Sequence, residues 1–582
     1  MLKSLFSGLF GQGAARVAGA TASDELEQAV QLLRQNDEAG AAQICERLLQ
    51  RDPKLVKAWE LLGVAALNLG DSELARERFE KVLLLAGENA QHLANAAEAN
   101  RQADRSARAL ELIERALALQ PGHAPFLHIQ VLALEGCWRI DEALVACRDA
   151  LVLQPDFARL HTSYMQLLNY AGADPALVLE AHCDWARRFA ATQSAGLPHG
   201  NSPQPGRALR IGYVSADFRQ HAASHFILPL LEHHDHTQFE VYCYSNTQKT
   251  DGISRRHEEL ASHWRDIATT TDEAADALLR AERIDILVDL SGHTRGNRLR
   301  LFARKPVPVQ FTYLGYPGTT GLTQIDYRLT DSLADPTGTS ASRYRERLVR
   351  LPHSLWCFQP PAGMPEPGPA PNLGSGRITF GSFNSMFKLN PRMVALWARL
   401  LHSLSDAKLI LATVAEGEPR RRIAREFELN GIDPARLEFH GFLPWKAFWD
   451  LHSRVDLALD SHPCNGGATT CETLWLGVPL VSLAGPVFQS RAGLSILSNI
   501  GLPELVAHTE DEYLRIAVDL AHDPQRLAQM RSGMRSRMRA ATLLDAATFT
   551  RDLEAIYRSA WKKWCVQQSG ASDPGNENGV KF

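Results

Sequence analysis

Residues Val455–Leu483 read VDLALDSHPCNGGATTCETLWLGVPLVSL, and their order decides the fold class. A buried-type apolar run, Val455–Leu459, leads into a loop holding Asn465, Gly466, Gly467, Thr469 and Thr470. A helix carrying Glu472 follows, then Gly477, Pro479 and a second apolar run. This order sets glycines and hydroxyls at a helix N-terminus, beyond a strand, where free backbone N–H groups and the helix dipole favour phosphate. Glu472 stands where a carboxylate meets sugar hydroxyls, as the ribose-binding acid does in other nucleotide sites. The segment reads as a nucleoside-diphosphate site. Its competing reading is an ordinary Gly/Thr turn.

Working outward, strands alternate with helices from Leu209 onward. Leu209–Val214, Phe239–Tyr244, Ile284–Leu290 and Val307–Leu314 read as strands, with Phe226–His233 as a helix. The pattern resumes with Ile378–Ser382, Met393–Leu404 (helical), Lys408–Ala412, Val455–Leu459 and Val478–Ser482. Such alternation predicts a parallel sheet covered by helices in each half. The Pro/Gly-rich stretch 360–376 divides the halves, and polar residues gather after the strands, where a crevice ligand binds. His221 follows the first strand, His293 and Thr294 follow Leu290, Tyr316, Pro317, Gly318 and Thr319 follow Leu314, and Asn384, Ser385 and Lys388 follow Ser382.

The N-terminal third has a different texture. Ala41, Ala75, Ala109 and Ala143 recur every 34 residues, with Pro53, Pro121 and Pro155 in the same register and Gly87 in place of a proline. Trp59, Leu62 and Gly63 form W-x-x-L-G, followed by Ala75 and Phe79. Period and pattern match the tetratricopeptide repeat, a helix–turn–helix unit whose small alanine lets two helices approach closely. Trp185 and Phe189 are expected to seal the array, and 196–207 reads as a linker. The domains expected are a flexible lead (1–21), a repeat superhelix with capping helices (22–195), two α/β lobes (208–360 and 377–566) and a disordered tail (567–582).

Composition bounds the rest. The chain has 582 residues, too many for one core, with 45% apolar and 22% charged residues and a net charge of −4. That charge and the lack of a long basic run argue against a nucleic-acid partner. Nine scattered cysteines with no C-x-x-C pair indicate neither a disulfide framework nor a zinc site and fit a reducing cytoplasm. No apolar run approaches the ~20 residues of a membrane span, and Gly11, Gln12 and Arg16 interrupt the lead.

Five motifs occur in order: GYVSADFRQHAASH (212–225), DLSGHTRGNR (289–298), LGYPGTTG (314–321), FGSFNSMFKLNP (380–391) and NGGATTCETLWLGVP (465–479). Together they resemble the protein O-GlcNAc transferase family, in a bacterial-type member. That family includes the plant SPINDLY-type O-fucosyltransferases and bacterial Asn-glucosyltransferases. The likeness runs from Leu209 to about Trp564, and a tetratricopeptide array also accompanies the family. It implies a GT-B fold of two Rossmann-like lobes, inversion at the anomeric carbon, a nucleotide-sugar donor and a Ser or Thr acceptor on a protein.

Transfer from such a donor must stabilise a departing diphosphate and orient or deprotonate a hydroxyl. No Asp-x-Asp, the usual metal anchor of GT-A enzymes, occurs, so protein groups are expected to meet the charge, with no metal and no cofactor beyond the donor. The resemblance puts Lys388, the lysine of an F-N-x-x-x-K motif, on the diphosphate. It makes His221 a general base or positioning group. It sets His293 and Thr294 on the donor-sugar side, Tyr316 to Thr319 as the opposing wall, and Glu472 on the ribose. Asn384, Ser385, Leu443, Gly467, Ala468, Thr469 and Thr470 complete the donor set. The bland readings are a solvated lysine for Lys388, a structural histidine for His221 and a β-turn for 316–319.

Animal members carry His-Thr-Thr where Gly467, Ala468 and Thr469 stand, and Gln at Ser385; their uracil-side Lys and His fall near Trp445 and Phe448. The leading expectation is a cytoplasmic, metal-independent O-glycosyltransferase using UDP-GlcNAc on a protein or peptide acceptor, which the repeats could bind. Open beside it are a GDP-fucose donor, an Asn acceptor, a non-catalytic repeat scaffold and a nucleotide-sugar 2-epimerase.

Overall fold

A computed structural model of the chain describes residues 20–190 and 196–569. The expected lead lies outside the described residues except for Ala20 and Thr21, and so does the tail from 570. The described residues form two compact units, 20–167 with 414–425, and 168–413 with 426–569.

The first unit is a stack of helical hairpins. Its second helices, Glu38–Arg51, Ser72–Ala86, Ser106–Leu119 and Ile140–Leu153, carry the four periodic alanines, each at most 1% exposed. Smallness is what the position demands. At Gly63 on the Val56–Leu69 helix, an added Cβ would stand 2.7 Å from the Phe79 ring. Asp37, Asp71 and Asn89 cap their helices by accepting from Gly40, Leu74 and His92 N–H groups. Helix Ala90–Gln102 buries Asn95, Glu98 and Asn100, with Glu98 held by Arg101 and Gln102.

The second unit contains two parallel sheets. Strands β1 (Leu209–Ser215), β2 (Phe239–Ser245), β3 (His263–Asp266), β4 (Ile286–Asp289), β5 (Val309–Thr312), β6 (Tyr327–Asp331) and β7 (Arg347–Leu351) pair in the order β3-β2-β1-β4-β5-β6-β7. Strands β8 (Thr379–Ser382), β9 (Lys408–Leu411), β10 (Leu437–Phe439), β11 (Leu457–Leu459), β12 (Leu480–Leu483) and β13 (Val506–Ala507) pair as β10-β9-β8-β11-β12-β13. All ladders are parallel. Each order reverses once, between β1 and β4 and between β8 and β11. These are the switch points at which doubly wound sheets open a ligand crevice. This is the two-lobed GT-B architecture.

Several ladders are shorter than the apolar runs predict, because Ile284, Leu290, Val307 and Val455 are buried beyond the paired residues. Two boundaries need correction. The helix Ala546–Ser569, expected in the second lobe as far as 566, packs on the first. Its Glu554 accepts from His234, Tyr557 meets Phe311 at 5.2 Å, and the Trp561 indole donates to Gln204 O. Gln567–Ser569, expected as tail, are its last residues. Trp185 belongs to the second unit and meets His293 edge-on, with ring centroids 4.7 Å apart. Among the described residues no helix is long and apolar enough to cross a membrane.

Candidate active site

The second lobe's half of the site hangs on Asp460, immediately after β11. This fully buried carboxylate accepts from Asn384 Nδ2 (2.9 Å), Gly466 N–H (2.9 Å), Ser461 N–H (3.0 Å) and Ser482 Oγ (2.6 Å). Burial raises its pKa, opposed by those donors and by Lys388. The carboxylate thereby pulls the loop after β8 against the loop after β11. Ser385 starts the Met386–Lys388 turn, and Lys388 Nζ donates to Asn465 O at 2.8 Å. A Cβ on Gly466 would stand 2.5 Å from Thr470 Oγ1 and 2.8 Å from Asn384 Oδ1, so glycine is required by close approach.

Helix Ala468–Trp475 begins at Gly467 without a side-chain cap. Around that start, Asn384 Oδ1, Thr470 Oγ1 and Trp356 Nε1 are buried without hydrogen-bond partners. Trp356 comes from the first lobe, and a Cβ on Gly467 would lie 3.2 Å from its ring. Ala468 and Thr469 are half-buried on the first turn. Uncapped N–H groups, orphaned polar atoms and a nearby ammonium are what an anion would satisfy. Four residues on, Glu472 is 2% exposed and accepts only a long bond, 3.4 Å, from Trp449 Nε1. Burial pushes its carboxyl up to about 7. Leu443 is half-buried in the loop ahead of the Trp445–Leu451 helix that carries Trp449.

The first lobe contributes the loop after β1. Ala223 N–H donates to His221 Nδ1 at 3.2 Å, with Asp217 Oδ2 3.8 Å from the same nitrogen. A neutral ring accepting at Nδ1 carries its proton on Nε2 and offers a donor there. Burial lowers its pKa, against the pull of Asp217. His225, half-buried and lowered to about 4 by desolvation, approaches Phe358 at 6.4 Å and Trp445 of the other lobe at 6.5 Å. Trp445 and Trp449 are 6.0 Å apart, so an aromatic path leads from His225 to Glu472.

The residues after β4 and β5 are placed differently. His293 is 3% exposed, donates through Nε2 to Thr320 O, and packs against His182, Trp185 and Tyr316. Tyr316 Oη bonds to His182 Nε2 and Asn169 Nδ2; Thr319 Oγ1 donates to Glu346; Thr294 Oγ1 donates to Ser291 O. Pro317 and Gly318 are half-buried, and a Cβ on Gly318 would lie 3.1 Å from the Tyr316 ring. The structure thus brings Asn384, Lys388 and the turn from Asn465 to Thr470 together beside Trp356, with Ser385 on the turn before Lys388 and Glu472 further along the Ala468–Trp475 helix. It commits the Tyr316 hydroxyl to His182 and Asn169 on the helices ahead of the first lobe, and the polar groups of Thr319 and Thr294, with Nε2 of His293, to that lobe's own framework. Sequence reasoning missed Asp460, Asp217, Trp356 and Trp449. Only Asp460 had a local signal, a carboxylate ending a buried strand.

The model of glycosyl transferase family 41 matches residues 192–359 and 371–553. The chain belongs to that family. Among curated relatives, a tomato (Solanum lycopersicum) protein called a probable UDP-N-acetylglucosamine–peptide N-acetylglucosaminyltransferase SPINDLY is 39% identical over 427 residues, 71% of this chain and 45% of its own length. A Caenorhabditis elegans UDP-N-acetylglucosamine–peptide N-acetylglucosaminyltransferase is 26% identical over 482 residues, 62% of this chain and 41% of its own. The chain spans about half the length of the curated relatives it matches. Among solved structures, a mutant Thermobaculum terrenum O-GlcNAc transferase is 34% identical with a TM-score of 0.80. That match covers 96% of this chain and all of the other.

Proposed function

We propose that the chain is an inverting, metal-independent glycosyltransferase that moves GlcNAc from UDP-GlcNAc to Ser or Thr hydroxyls of proteins. Its repeat array would bind an extended stretch of the acceptor. The observation that carries this reading is the group of orphaned polar atoms at the uncapped start of helix Ala468–Trp475, with Lys388 on the adjoining carbonyl. An acceptor hydroxyl attacks the anomeric carbon from the face opposite the nucleotide as the sugar–diphosphate bond breaks, its proton passes to solvent, and negative charge grows on the departing diphosphate. Lys388 keeps one N–H on Asn465 O and turns its others to that charge, assisted by the loop N–H groups and the Thr470 hydroxyl. Glu472 accepts from the ribose hydroxyls. His221, a donor at Nε2, orients donor and acceptor. The relatives' names, which specify UDP-N-acetylglucosamine and a peptide, support the choice of donor and acceptor.

Titrating UDP, GDP and their sugars against the purified protein tests the donor. UDP binding is expected, and GDP binding without UDP binding would move the assignment to a guanosine-nucleotide sugar. Lys388→Ala is expected to abolish transfer, a loss of at least ~100-fold as for other removed charge-stabilising donors, with an unchanged melting curve. Unchanged turnover would remove Lys388 from the chemistry.

A further inference from the structure

Asn169, in the last turn of the Ala158–Ala171 helix and 4% exposed, directs its polar groups at the crevice loops. Its Nδ2 donates to Tyr316 Oη at 3.0 Å, its Oδ1 accepts from Gln489 Nε2 at 3.2 Å, and its carbonyl accepts from Cys464 Sγ at 3.3 Å. Gln489 O accepts from Asn465 N–H at 2.8 Å, and Asn465 O is the acceptor of Lys388 Nζ. The bond directions agree along the whole chain. His182 donates from Nδ1 to Val178 O, so its Nε2 accepts from the Tyr316 hydroxyl, whose lone pairs then face the Asn169 amide. The neighbouring residues grip the same loops. The Tyr170 and Phe387 rings stack 6.4 Å apart, and a Cβ on Gly172 would stand 2.9 Å from Pro463 Cγ.

We propose that Asn169 is a positioning residue for Lys388. Its amide ties the Tyr316 wall to the Gln489–Asn465 pair and so fixes where the Asn465 carbonyl holds the ammonium. The inference rests on the diphosphate reading of that loop. It assigns Asn169 no contact with the donor.

The test is a double-mutant cycle read by calorimetry in the full chain. Nucleoside di- and monophosphates of the preferred base bind to wild type, Asn169→Ala, Lys388→Ala and the double variant. Asn169→Ala is expected to weaken the diphosphate about tenfold, the scale of one disturbed charged hydrogen bond, while the monophosphate changes less than about twofold. In the Lys388→Ala background, Asn169→Ala should have no further effect. Equal losses for mono- and diphosphate, additive losses, or no loss would overturn the positioning role. Should Asn169→Ala fail to fold, Gln489→Ala, which cuts the next link, carries the same cycle and the same criteria. A wild-type chain that binds neither UDP nor GDP refutes the diphosphate reading itself, and this inference with it.

Discussion

Glu472 is the residue at which burial and chemistry pull in opposite directions. Dehydration lifts its carboxyl to about 7, while hydroxyls donating to it favour the ionised form. Ligand binding should therefore release a proton, and nucleoside-diphosphate affinity should rise as pH increases through about 7. Folding carries the opposite sign. With a folded value above the unfolded 4.5, the stability from this group is complete below that value and is lost as pH rises through about 7. Calorimetry from pH 6 to 8 on wild type and Glu472→Gln isolates the effect, because the nucleotide's own phosphate titration is common to both. Identical slopes would exclude Glu472 from the ribose contact. Lys388 could be picked out in sequence because it sits shortly beyond an apolar strand, and Glu472 because it rides the helix that follows the glycine-rich loop. Asp460's role was less legible, and Trp356 and Asn169 not at all. They act through tertiary neighbours, as in the Asn169–Tyr316 bond across 147 residues, and no local pattern encodes such a partner.

At the scale of elements, spacing was a better guide than apolarity. The alanine period located every second helix of the array, because a helix pair that close tolerates no larger side chain. Gly63 tests that cause directly. In Gly63→Ala the new methyl meets the Phe79 ring, and overpacking of about 1–3 kcal/mol should outweigh the ~1 kcal/mol gain in helix propensity. The melting temperature should fall. Adding Phe79→Leu, which shortens the opposing side chain, should restore part of the loss to the methyl substitution, and a Gly63→Ala chain that melts higher than wild type would refute the close approach. Strands divided by chemistry. The apolar runs at β1, β2, β4, β5, β8, β9, β11 and β12 were readable, whereas β3 (HWRD), β6 (YRLTD) and β7 (RLVRL) hide behind charge. In β6 the buried Arg328 donates to Tyr316 O and Gly318 O. Its charge is answered by carbonyls from a turn about ten residues away in sequence, which a hydropathy pattern cannot anticipate.

Across the whole second unit, chain order and lobe membership part company at the C-terminus. Helix Ala546–Ser569 follows the second sheet in sequence but buries Leu553, Tyr557 and Trp561 on the first lobe. Its Glu554 also answers the buried His234 ring and the Asp235 N–H. Three such side chains are worth roughly 1.5–3 kcal/mol each, comparable with the ~5–15 kcal/mol that hold a typical domain together. Ending the chain at residue 545 should therefore destabilise the first lobe although no residue of its sheet is removed. The expected result is loss of the cooperative melting transition or insolubility on expression. Glu554→Gln is the milder partner experiment: the fold persists, its melting temperature falls because His234 loses a charged acceptor, and nucleoside-diphosphate affinity holds because the substitution is remote from Lys388 and Glu472. A truncated chain that melts like wild type would show that the first sheet is self-sufficient. A Glu554→Gln chain with weakened nucleotide binding would show instead that this helix sets the crevice as well as the lobe.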